Sequence, residues 1–306
     1  MILAGRLLRA VFSLWIIVTL VFVALRATGD PILAIFDPDD TTAEAIQSYR
    51  ELWGYTGTTF QQYLRYVAAI AQGDFGFSTM NNRPAQEVVM ERVPATLMLV
   101  GASTTIMFVI GIPVGVLAAV KSGSRIDRVV MTFSTVGFAL PSFVLGLGLI
   151  LFFSVRMHWL PSNGYGTMAH LVMPALTMGL TKASVFTRFV RSSISDALKL
   201  SCVTSARARG LSDWQVFARH VVPNALLPLV TITPLLVGAM VAAAAVVESV
   251  FGWPGLGRLI VESVANRDLA VLQMIVMMVA ALMITTNLIV DLTYSTLDPR
   301  TRIGRA

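Results

Sequence analysis

The residues of this chain with the chemistry to act on a substrate are few and scattered. His158, His170 and His220 lie far apart, none belongs to an H-E-x-x-H pair, and neither a G-x-S-x-G elbow nor a G-x-x-x-x-G-K-[ST] phosphate loop occurs. Hydrolase and zinc-enzyme chemistry thus has no residue set to work through, and the chain has no phosphate loop of its own for ATP. Cys202 is the only cysteine, so an intrachain disulfide and a C-x-x-C redox or metal pair are excluded. What remains is non-covalent: Arg207, Arg209, Arg219 and His220 gather around Trp214 and Phe217. Such a set suits docking into a cleft on an acidic partner, with the two aromatics as anchors and the arginines setting orientation.

The residues around this group dictate two short helices to carry it. Ser205, Ala206 and Ala208 are small, so a helix bearing them can approach another surface closely. Gly210 can take the left-handed conformation that ends such a helix. Ser212 stands three residues before Gln215, the spacing of a reciprocal capping box, and Leu211 and Val216 flank it as a hydrophobic staple. Trp214, Phe217 and Val221 then recur at helical spacing, and Pro223 removes the next backbone donor, ending or bending the element. The expected product is a knob with an aromatic tip and a cationic skirt.

This polar stretch interrupts a very apolar chain. Of 306 residues, 56% are hydrophobic and 13% charged, and the mean hydropathy is +0.74, more apolar surface than a soluble domain can bury. The net charge of +6 falls between apolar runs rather than on one soluble face, which favours membrane topology over nucleic-acid binding as its cause. A bilayer-crossing helix needs about 20 apolar residues. Runs near 7–27, 95–120, 130–155, 169–190, 224–248 and 272–293 give six expected spans. The Lys and Arg residues concentrate in the N-terminal tail, 121–129, 188–223 and the segment after 294, so both termini are expected to be cytoplasmic.

Four parts follow: residues 1–27 as tail and first helix, 28–94 as an external region, 95–293 as a five-helix core that includes a loop at 199–223, and 294–306 as a cytoplasmic tail. The external region is acidic and mixes turn signals at Gly54, Gly57 and Gly73–Gly76 with expected helices at Ala43–Leu52 and Phe60–Ala71. The first span also has the look of a signal peptide, but no convincing small-x-small cleavage site follows it. Lys182, Glu248 and Asp291 are charges within or at the ends of spans and are candidates for function on that ground, with Glu248 and Asp291 near enough to an interface to meet water and Lys182 able to snorkel. Pro113, Pro141, Pro174 and Pro234 lie where they can bend helices.

The stretch from Thr204 to Pro228 resembles the EAA loop of ABC importer permeases, whose pattern is E-A-A, three residues, Gly, nine residues, then I-x-L-P. Gly210 and Pro223 match at the right spacing, while Thr204, Ser205 and Ala206 replace E-A-A and His220 to Val222 replace I-x-L. Those departures are similar to the dipeptide, oligopeptide and nickel branch, through Ser205–Leu211 and Arg219–Pro228. Further segments resemble the same branch: Gly29-Asp30-Pro31, Gly73-Asp74-Phe75-Gly76 with Ser78, Pro94-Ala95-Thr96-Leu97, Trp253-Pro254-Gly255-Leu256-Gly257, Arg267-Asp268, and Asp291 with Asp298-Pro299-Arg300.

The resemblance implies an all-α integral membrane protein of six helices with the type I ABC importer permease fold. It also implies a non-enzymatic subunit in the bacterial inner membrane, paired with a second permease, two cytoplasmic ATPase subunits that bind ATP and Mg, and an extracytoplasmic binding protein. The ATPase-coupling residues would be Ser205, Ala206, Arg207, Ala208, Arg209, Gly210, Leu211, Ser212, Trp214, Phe217, Arg219, His220 and Pro223. Peptides are the expected cargo, with nickel, glutathione, or an opine-like or sugar-derived solute as the alternative. A membrane-embedded enzyme and a non-transporting scaffold for an ATPase are the rival classes.

Overall fold

The computed structural model describes residues 2–27, 42, 44, 47, 48 and 56–297. Gly29-Asp30-Pro31, almost all of the expected helix at Ala43–Leu52, Gly54, the segment Asp298-Pro299-Arg300 and the side chain of Asp291 lie outside the described residues. In chain order the elements are α1 (Ile2–Ala27), α2 (Thr59–Ala71), β1 (Phe77–Ser78), β2 (Arg83–Pro84), α3 (Ala85–Val120), α4 (Arg125–Ala139), α5 (Ser142–Leu149), α6 (Met168–Leu198), α7 (Ser201–Ala208), α8 (Asp213–Val216), α9 (Val222–Val250), α10 (Leu256–Ala265) and α11 (Leu269–Leu297). π-Helical turns at Ile150–Arg156 and Phe217–Val221 follow α5 and join α8 to α9. The chain divides into two compact units, one of residues up to Pro94 with Leu259–Leu288, the other of Ala95–Arg258 with the residues from Ile289 onward.

In the first unit, Thr58 and Gln61 form a capping box that starts α2, and Tyr63 on that helix meets α1. Its hydroxyl lies 2.8 Å from Thr19 Oγ1, and its ring stands edge-on to Phe22. A two-stranded antiparallel hairpin, Phe77 opposite Pro84 and Ser78 opposite Arg83, is the one departure from an all-helical architecture among the described residues. The hairpin is held by Asp268, a buried carboxylate that accepts from the Ser78 hydroxyl and the Met80 N–H and caps α11 through the Val271 N–H.

The second unit is built around α6, which packs against α4, α5 and α9 and lies alongside α3. Small residues set the α3–α6 distance. A β-carbon at Gly115 would stand 2.6 Å from Val190 Cβ and 2.8 Å from the Thr187 carbonyl, and one at Gly179 would stand 2.8 Å from Ile106. These close approaches are how apolar helices gain dispersion contact where burial from water supplies no drive. Contacts advance together from Ile106–Gly179 to Gly111–Phe186 to Gly115–Val190, so the two helices run parallel. Leu99, Met107, Met173, Met178, Phe186, Val190, Met240 and Trp253 fill the core.

The expectation of six membrane spans is not met. Among the described residues, two helices are long and apolar enough to cross a bilayer, Ala85–Val120 and Asp213–Val250, and a third is reached only if Arg125–Ala139 and Ser142–Arg156, bent by 99°, count as one. The expected run at 130–155 is broken at Leu140–Pro141, where Pro141 cannot extend α4 and instead starts α5. Within their described residues, α1 and α11 provide apolar stretches at Val11–Ala24 and Leu269–Thr285. α6 is long enough, but His170, Pro174, three threonines and Lys182 dilute its apolar content before Arg188 begins its cationic end.

Candidate functional site

The basic group on α7 and α8 is set in the second unit by buried apolar residues spaced along the same short helices. Val203 and Ala206 of α7, then Val216 and Val221, are each at most 1% exposed, with Leu211 and Phe217 packed on the same core. Of the small residues expected to permit close approach, Ala206 turns inward, while Ser205 and Ala208 remain exposed. Gly210 joins the helices at φ +79°, the left-handed conformation its sequence context demands.

Ser212 Oγ accepts from the Gln215 N–H, and Gln215 Oε1 accepts from the Ser212 N–H, so the expected capping box is formed. Arg207 reaches across the Gly210 turn to Asp213, with Nε 3.6 Å from Oδ1, and the Arg209 guanidinium donates to the Ser205 carbonyl. Trp214, 75% exposed, stacks on Phe217 with ring centroids 6.4 Å apart, and Arg219 is exposed beside them. The result is a rigid aromatic and cationic protrusion on a buried base.

Pro223 behaves otherwise than its sequence position suggests. It neither ends nor sharply bends the element: helix continues from Asp213 to Val250, and the π-helical turn Phe217–Val221 widens the ladder just before the proline. A wider turn places the missing N–H where its loss is absorbed. The exposed Asn224 amide adds a bond to the His220 carbonyl at 2.6 Å. The knob is thereby continuous with a helix long and apolar enough to cross a membrane.

The charged candidates elsewhere separate into different environments. Glu248 is not at a watered interface but fully buried: Oε1 accepts from Thr96 Oγ1 at 2.7 Å and Oε2 from the Arg258 N–H at 2.9 Å. Thr96 Oγ1 accepts in turn from the Leu256 N–H at 2.8 Å, and the Trp253 indole donates to the Ala95 carbonyl at 2.9 Å. A side chain at Gly255 would collide with the Glu248 carboxylate. Two sequence segments that carried the family resemblance, Pro94–Leu97 and Trp253–Gly257, thus meet around one carboxylate. Ser78 and Asp268, from two other such segments, pair in the first unit.

Sequence reasoning missed a second polar tie. Asp127 of α4 receives the Arg191 guanidinium through both oxygens, at 3.1 and 2.8 Å, together with the Gly123 N–H. The Ser124-x-x-Asp127 spacing signals the helix start that Ser124 caps, but nothing local signals a partner 64 residues away. Among the described residues no cluster of three or more His, Cys, Asp or Glu side chains is arranged to hold a metal ion.

Residues 111–303 match the family described as binding-protein-dependent transport system inner membrane component. The glutathione transport system permease protein GsiC of Shigella flexneri serotype 5b (strain 8401) is 37% identical over 298 residues, covering 97% of both chains. The protein of the same name from Salmonella paratyphi A is 38% identical over the same coverage. Among solved structures, an inward-facing conformation of the MetNI methionine ABC transporter superposes with a TM-score of 0.61 at 21% identity, over 70% of this chain and 97% of that one. A crystal structure of an amino acid ABC transporter with histidines gives 0.54 at 18% identity, over 69% and 94%. These likenesses establish the fold, all-α and of the ABC permease type. A near full-length match at this identity, on a helical membrane architecture, places the chain in the family of inner membrane components of binding-protein-dependent transport systems, as a multi-pass ABC-importer permease subunit.

Proposed function

We propose that this permease subunit passes glutathione or a closely related small solute across the bacterial inner membrane. The observation that carries the cargo is the 37 to 38% identity, over 97% of the chain, to permeases named for glutathione transport. It favours glutathione over the di- and oligopeptides that the sequence motifs first suggest. Energy comes from two separate cytoplasmic ATPase subunits that bind ATP and Mg. A second permease completes the pathway, and an extracytoplasmic binding protein delivers the solute.

The coupling element in this proposal is Ser205–Pro223. Trp214 and Phe217 insert into a cleft on the ATPase, and Arg207, Arg209 and Arg219 orient the contact. Closure of the ATPase pair pushes on the knob. Because α8 runs without a break into α9, and Val203, Ala206, Val216 and Val221 are locked in the core, the displacement reaches the helices around α6 instead of being absorbed in a loop. The bundle then rocks between inward and outward access.

Reconstitution with the partner subunits tests the function. ATP-dependent accumulation of labelled glutathione that exceeds accumulation of labelled dipeptides or nickel is the expected result. Accumulation of a dipeptide or nickel in preference would replace the cargo, and ATPase docking with no accumulation of any solute would favour the scaffold class.

A further inference from the structure

We propose that Lys182 is a carboxylate-binding residue on the transport path, and that the solute is accordingly an anion with a free carboxylate. This rests on the permease function proposed above and deepens it.

Between Ala95 and Arg258 the chain has four acidic residues, Asp127, Asp196, Asp213 and Glu248. Each is engaged elsewhere: Asp127 with Arg191, Asp196 with Lys199, Asp213 with Arg207, and Glu248 with Thr96 and the Arg258 N–H. The hydroxyls near Lys182 on its own helix, Thr177, Thr181 and Ser184, each donate to the carbonyl four residues earlier, and none of them is hydrogen-bonded to the ammonium. The half-buried Lys182 ammonium has no ion pair or hydrogen bond among the described residues.

Its depth makes that isolation informative. α6 lies along α3 from Ile106–Gly179 to Gly115–Val190, so Lys182 sits beside the apolar length of a helix long and apolar enough to cross a membrane. Arg188 is six residues further on, about 9 Å along the axis, beyond the reach of a four-carbon stem. Snorkelling to the level of Arg188 therefore does not satisfy the ammonium. α6 is also too polar to be counted with the membrane-crossing helices, as expected of a helix that meets water or solute on one side. A cation here that no described residue neutralises leaves a place for a counter-charge carried by the solute. Glutathione, with more carboxylate than ammonium groups at neutral pH, supplies it.

The test uses the whole importer in proteoliposomes with labelled glutathione, comparing Lys182→Met and Lys182→Arg with the parent. The expected result is a drop of about tenfold or more in glutathione moved per ATP in Lys182→Met, recovered in Lys182→Arg, with ATPase activity stimulated by loaded binding protein retained. Unchanged transport per ATP in Lys182→Met overturns the proposal. So does parallel loss of assembly and ATPase activity, which would mean that Lys182 pairs with a carboxylate of the second permease.

A second measurement does not depend on the cargo. Lys182→Cys in a Cys202→Ser background should react with the anionic, water-soluble thiol reagent methanethiosulfonate ethylsulfonate during ATP turnover, and absence of reaction in every nucleotide state overturns the proposal. Should the parent importer move no glutathione, the cargo assignment fails by itself and this second measurement decides the role of Lys182.

Discussion

Gly210 is where one backbone angle decides whether the knob is aimed. Its φ of +79° is open only to glycine and, less readily, Asn or Asp, and nothing stands within 4 Å of where a β-carbon would be. Replacement therefore acts through conformation alone, at about 1–2 kcal/mol for an ordinary L-residue and more for a β-branched one. Gly210→Val should leave membrane insertion intact on immunoblots while abolishing uptake and coupled ATPase activity, and Gly210→Asn should retain both. At Trp214 the expectation is different. Its side chain is exposed, so Trp214→Ala should change stability by less than about 0.5 kcal/mol. As an interface anchor it should weaken ATPase binding by about 2 kcal/mol, roughly 30-fold, in a titration of the purified partners. The cap, the left-handed glycine and the inward Val216 were all legible in the sequence because each is settled within a few residues. The continuity of helix through Pro223 was not, since it depends on a π-helical turn that hydropathy and proline position do not encode.

Among the elements, the ties that matter join segments far apart in the chain. Removing the Glu248 carboxylate leaves the Thr96 hydroxyl and the Arg258 N–H without their buried acceptor. Glu248→Ala should therefore lower the stability of the solubilised complex by about 2 kcal/mol or more, read as a fall in its thermal midpoint, with Glu248→Gln in between because it keeps one acceptor oxygen. Gly115→Leu should lower the yield of folded permease through overpacking of about 1–3 kcal/mol, since the Thr187 carbonyl and the Val190 side chain occupy the space. A yield equal to the parent's would show that α3 and α6 can separate freely. The sequence displayed every residue in these ties, but as isolated motifs. Pairing Thr96 with the Trp253 loop, or Asp127 with Arg191, needs the fold. The span expectations failed for a related reason: running hydropathy carried the 130–155 stretch across Pro141, where the backbone turns by 99°, and gave α6 the same weight as its apolar neighbours.

At the scale of the whole molecule, the chain is a permease subunit, and its proposed work is to transmit force rather than to supply a reactive group. The family match and the buried anchoring of the knob support this from independent directions. The most direct test is cross-linking of Trp214→Cys, in a Cys202→Ser background, to the ATPase subunit of the reconstituted importer during turnover. The account predicts an adduct between permease and ATPase and arrest of uptake once the adduct forms. Uptake continuing at the parent rate with no adduct in any nucleotide state would contradict it.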